Sequence, residues 1–98
     1  MTRLVLARRL GDDLARIEAH LHAHDSSDVE ARLAEVLDAL QMLALHPLIG
    51  RKVEHGQREL VIGRGVRGYV ALYTYDALDD VVAVAALRAQ REAGFSGA

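Results

Sequence analysis

The chain of 98 residues contains no cysteine and no tryptophan, a single proline (Pro47) and a single lysine (Lys52). Without cysteine there is no disulfide framework, no thiolate zinc site and no cysteine nucleophile, and the composition fits a reducing compartment such as the cytoplasm. One proline and 8 glycines exclude collagen-like and Pro-rich linker classes. No apolar run approaches the ~18 residues a membrane span needs, so no membrane partner is expected. The apolar stretch after Arg3 is soon closed by Arg8 and Arg9, too short for a signal-peptide core. No cofactor is expected. Gly63 and Gly65 read as a turn without the helix that a phosphate loop requires. Serine nucleophiles are equally unconvincing, because Ser26, Ser27 and Ser96 lie in a cap and a tail with no histidine placed for them.

What is present is a folding composition: 51% apolar and 27% charged residues, enough for one domain spanning 1–98. The net charge of −2 does not advertise nucleic-acid binding, and no direct sequence-specific contact with nucleic acid is expected. Positive charge gathers in the second half, where Arg51, Lys52, Arg58, Arg64 and Arg67 face only Glu54 and Glu59 within 51–67.

The apolar periodicity changes along the chain. Arg3 to Ala7 reads as a short strand. Leu10, Leu14, Ile17 and Leu21 then form one helical stripe that fades near His24, with Asp12 and Asp13 expected in a first turn favoured by the helix dipole. Ser27 and Glu30 make a capping-box pattern ahead of a second stripe from Val29 to about Leu45, and Pro47 ends it. The short link implies a helical hairpin. Beyond Gly50 the period is two. Strands are expected at Arg58–Ile62, Val66–Tyr75 and Asp80–Leu87, the last nearly all apolar and therefore central. Tyr69, Ala71, Tyr73 and Tyr75 should share one face, as core or core-edge packing. The order β-α-α-β-β-β predicts an α+β fold, an N-terminal helical hairpin packed on a small antiparallel sheet.

Two clusters invite chemistry. His20 and His24 share a helix face at i, i+4, but two imidazoles are too few for a specific metal site, and a solvated helix end explains them; no metal is assigned. Arg58, Arg67, Arg88 and Arg91 lie at expected strand ends, and converging strands could gather them on one face to grip carboxylates or phosphates. Charges that block edge pairing are the plainer explanation.

Several segments, in this order, resemble one family. They are Asp13-Leu14-Ala15-Arg16-Ile17, His46-Pro47-Leu48-Ile49-Gly50-Arg51, Arg58-Glu59-Leu60-Val61-Ile62-Gly63 and Gly68-Tyr69-Val70-Ala71-Leu72-Tyr73, ending in Arg88-Ala89-Gln90-Arg91-Glu92-Ala93-Gly94-Phe95. Over nearly its whole length the chain is similar to the RelE/ParE superfamily of bacterial type II toxin–antitoxin toxins, closer to the ParE-like (plasmid stabilisation) branch. RelE-like members cut mRNA on the ribosome. The resemblance places two lysines of that branch where this chain has Glu59 and Val61, an arginine where it has Val70, and a tyrosine where it has Phe95. Arg88 alone remains. The implied function is therefore a ParE-like toxin that binds and poisons DNA gyrase. It would be neutralised by a cognate antitoxin, of ribbon-helix-helix type with a C-terminal tail, and would need no catalytic residue of its own. Arg58, Arg67, Arg88 and Arg91 are the expected partner contacts. The alternatives are a RelE-type ribosome-dependent endoribonuclease and a non-toxic binding remnant.

Overall fold

The computed structural model describes residues 2–23, 28–63 and 68–90. Strand β1 (Arg3–Leu6) leads into helix α1 (Arg8–Ala23) and helix α2 (Val29–Leu45). Then come β2 (Arg51–Lys52), a single 3₁₀ turn (Glu54–Gly56), β3 (Arg58–Ile62), β4 (Tyr69–Asp76) and β5 (Val81–Ala89). The α+β class and both helices agree with the sequence, and so does the element order apart from the added two-residue strand β2. Ser27, of the capping box, lies outside the described residues; the N-cap is Asp28, whose side chain makes no capping bond. Helix α2 stops at Leu45, and the residue before Pro47 leaves helical geometry at φ −135°, as proline demands.

The five strands form one sheet in the order β1-β5-β4-β3-β2. Three of its junctions are antiparallel, but β1 lies parallel to β5, so the sheet is mixed rather than antiparallel. The reason is the helical hairpin: it carries the chain across the sheet, so β5 returns beside β1 in the same direction. The near-continuous apolar run of β5 follows from its place between β1 and β4.

One face of the sheet is covered by α1 and α2. Leu10, Ile17 and Leu21 from α1 and Val36, Leu40 and Leu43 from α2 close on Ile62, Tyr69, Ala71, Tyr73, Val82, Val84 and Leu87. The expected face of β4 is thus the core face, with Tyr75 packed at its margin. Residues on β5 change parity part-way. Tyr73 pairs with Val84 but Leu72 pairs with Ala86, leaving Ala85 as an extra residue, a β-bulge. Val82 and Val84 point to the helices before the bulge, and Leu87 after it.

Asp13 departs from its expected role. Helix α1 begins at Arg8, so Asp12 and Asp13 lie in its second turn, and Asp13 is only 6% exposed. Pairing of β5 with β1 ends at Val84, which leaves the backbone of Leu87 facing α1 without a strand. Asp13 Oδ2 accepts the Leu87 N–H at 3.0 Å, and Arg16 donates to the Leu87 carbonyl at 3.1 Å. The two side chains, 3.5 Å apart, replace a neighbouring strand for that residue.

Candidate functional site

The turn after α2 is built around two groups from the sheet. The Tyr73 hydroxyl donates to the Pro47 carbonyl at 2.9 Å and accepts the Gly50 N–H at 2.8 Å. Tyr73 is fully buried, and its bond from the Gly50 N–H is shielded from water. An added Cβ at Gly50 would lie 2.6 Å from the Tyr73 ring and hydroxyl and 2.8 Å from the Glu59 carbonyl, so the position admits only glycine. Arg58 completes the turn, donating to the carbonyls of Leu48 at 3.2 Å and Gly50 at 2.7 Å. The segment His46-Pro47-Leu48-Ile49-Gly50 is therefore a fixed corner that presents Leu48 and Ile49 to solvent.

Arg58 pairs across the sheet with Tyr73 and lies on the helix-covered side. Arg88 pairs with Val70 and lies on the other face, where its guanidinium donates to the Ala89 carbonyl at 3.3 Å. The structure does not bring these two arginines together. Arg67 and Arg91 lie outside the described residues, as do His24 and Phe95. Among the described residues no three His, Asp or Glu side chains group as metal ligands, and no helix is long and apolar enough to cross a membrane.

Glu59, Val61, Val70, Leu72, Ala86 and Arg88 share the face turned away from the helices, as the strand register requires. Val70 and Ala86 are buried. Glu59 binds Arg51 at 2.8 Å, so the acid and the cation nearest to it neutralise one another. Where β2 and β3 join, Arg51, His55, Glu59 and Leu72 border an open hollow of about 550 Å³. Its rim is the turn over His55 (φ 60°) and Gly56 (φ 71°), two successive left-handed residues as in a type I′ hairpin.

A second network ties the β4–β5 turn to the N-terminal residues. Asp80 Oδ1 accepts the hydroxyls of Thr2 and Tyr75, each at 2.7 Å. The bond from Thr2, and then that from Tyr75, holds the Asp80 carboxyl below its ordinary value of 3.8. The same carboxylate pushes the Tyr75 hydroxyl above 10.0, through their hydrogen bond first and through burial second. Asp76 Oδ1 accepts the N–H groups of Leu78 and Asp79, closing an Asx turn.

A helical hairpin laid across a five-stranded mixed sheet is the frame on which these groups stand. Residues 4–94 match the family described as the ParE toxin of the type II toxin–antitoxin system parDE, and the chain belongs to that family. Its fold is similar to that in the chromosomal ParDE toxin–antitoxin system from P. aeruginosa, with a TM-score of 0.75 and 17% identity, covering 91% of this chain and 96% of that one. It is also similar to that in the archaeal RelE-RelB complex from Pyrococcus horikoshii OT3, with a TM-score of 0.60 and 15% identity, covering 94% of this chain and 98% of that one. No curated protein matches the chain in sequence.

Proposed function

We propose that this ParE-family toxin acts by binding and poisoning DNA gyrase, and that a cognate antitoxin with a C-terminal tail holds it inactive. The observation that carries the reading is the make-up of the sheet face turned away from the helices. Cutting RNA at the ribose 2′-oxygen needs fixed cations over the developing phosphorane and groups that move protons. Val61, Val70 and Arg88 form one row across β3, β4 and β5 on that face, with Glu59 two residues away along β3, so Arg88 is the single cation among these four. A toxin that works by occupying its target has no need of such groups, so their scarcity on this face does not impair it. The overall charge of −2 points the same way, since docking on ribosomal RNA is driven by counterion release to basic surfaces. Arg58, Arg67, Arg88 and Arg91 are the proposed polar contacts to acidic groups of antitoxin or target. Arg58 and Arg88 would serve different partners or different segments of one, because they stand on opposite faces of the sheet.

The test is a supercoiling assay with gyrase, plasmid and purified toxin. Linear plasmid with covalently attached gyrase is the expected product, and antitoxin added beforehand suppresses it. An unaffected gyrase, with folded toxin present, rejects the reading. Cleavage of mRNA in a translating extract, lost in Arg88→Ala, would put the endoribonuclease reading in its place.

A further inference from the structure

Two exposed apolar sites sit on tightly held backbone and differ in charge. The first is the β4–β5 turn. Leu78 at its tip is 97% exposed, yet the turn beneath it is fixed by the Asp76 carboxylate, which accepts the N–H groups of Leu78 at 3.0 Å and Asp79 at 3.2 Å. Asp80 anchors the same turn to Thr2 and Tyr75. A leucine held wholly in solvent adds nothing to the core, and its surroundings are acidic: Asp76, Asp79 and Asp80.

The second site is the corner after α2. Leu45, Leu48 and Ile49 are each more than half exposed, on a turn pinned by Tyr73 and Arg58. Arg51, Lys52 and Arg58 flank it, against Glu54 and Glu59. Glu59 is spent on Arg51, which leaves the corner positive. Both sites lie at one end of the sheet. The hydroxyl of Tyr73 holds the corner, and Asp76, three residues further along β4, opens the tip, about 10 Å away along the strand.

We propose that a second copy of this chain docks at this end. Leu78 of each protomer seats among Leu45, Leu48 and Ile49 of the other, and the aspartates of the tip face Lys52 and Arg58. A two-fold arrangement makes the contact twice, because each copy carries both halves. Both surfaces are already ordered, so little conformational freedom is lost on docking. The interface is small and partly ionic, so the association is weak and falls with salt.

Sedimentation velocity of the purified toxin over a wide concentration range tests this, with circular dichroism confirming the fold of each variant. The wild-type chain should dimerise, less so in high salt. Leu78→Ser should raise the dissociation constant about a hundredfold, since the two-fold arrangement loses the leucine contact twice. Lys52→Asp should abolish self-association, since the corner then shares the negative sign of the tip, and Asp79→Lys should weaken it, since Asp76 and Asp80 alone keep the tip negative. An equimolar mixture of these two variants should associate more tightly than Lys52→Asp alone, because one of the two contacts in the heterodimer joins an unsubstituted tip to an unsubstituted corner. A wild-type chain that stays monomeric throughout overturns the proposal. So does a dimer indifferent to these substitutions, or a mixture that does not associate.

Discussion

Tyr73 and Tyr75 are two residues apart on the same face of the same strand, and each ties a loop to the sheet, but they do so by different physics. Tyr73 is buried and holds the corner after α2 through two backbone groups, which carry no charge. Tyr75 is half-buried and holds the β4–β5 turn through the Asp80 carboxylate. The first loop is secured by exclusion of water and by shape. The second is secured by a charge, and therefore by pH. Removing a hydroxyl from one strand should accordingly have two different signatures.

The largest effect is expected from Gly50→Ala. Its Cβ meets both a buried ring and a backbone carbonyl, neither free to move, so a loss of about 3 kcal/mol is expected in denaturant unfolding. Tyr73→Phe comes next. It leaves the Pro47 carbonyl and the Gly50 N–H without their partner, at about 2 kcal/mol by the same measurement. Arg58→Ala should cost only about 1 kcal/mol, since the Leu48 carbonyl it releases stands in an exposed bond. A larger loss of antitoxin or target affinity than of stability in that variant would assign Arg58 to recognition as well as to the corner.

Smallest at neutral pH, but distinct in kind, are Thr2→Val and Tyr75→Phe. Asp80 titrates below its ordinary 3.8 in the folded chain, so its contribution is complete above that value and is lost as pH falls through the lowered pKa. Tyr75 titrates above 10.0, so its contribution is complete below that value and is lost as pH rises through the raised pKa. Thr2→Val should move the Asp80 carboxyl upward in an NMR titration, more than Tyr75→Phe does, because the Thr2 bond is the larger cause. An Asp80 titration unchanged in both variants would erase the contrast between the two loops.

Much of this architecture is legible in the sequence where the signal is local. The stripes Leu10-Leu14-Ile17-Leu21 and Val29 to Leu45 give both helices, and Arg58–Ile62 is a strand with the expected ends. What escapes is set by distant partners. Nothing near Arg3 says that its strand will lie parallel to β5. Asp13 reads as a dipole-facing acid, whereas it supplies the bond that β5 lacks beyond β1. The arginines show the same limit. Counting by twos from Val82 and Val84 sends Arg88 to the helix side, the side that Arg58 takes. The extra residue Ala85 reverses that parity, and Arg88 emerges on the opposite face. The Gly50 position could have been suspected from the isolated glycine between Ile49 and Arg51, but the tyrosine that fills the space lies 23 residues away.

The parallel seam between β1 and β5 also sets a timetable. Arg3 finds its partner only at Val81, so the first strand made is among the last to be paired. At about 5–20 residues per second of synthesis, the N-terminal strand and its helices wait several seconds for the strand that completes the sheet. Until then the core faces of α1 and α2 lack Val82, Val84 and Leu87. Among the described strands the one made first thus completes its pairing last, and the core closes only once β5 has been made.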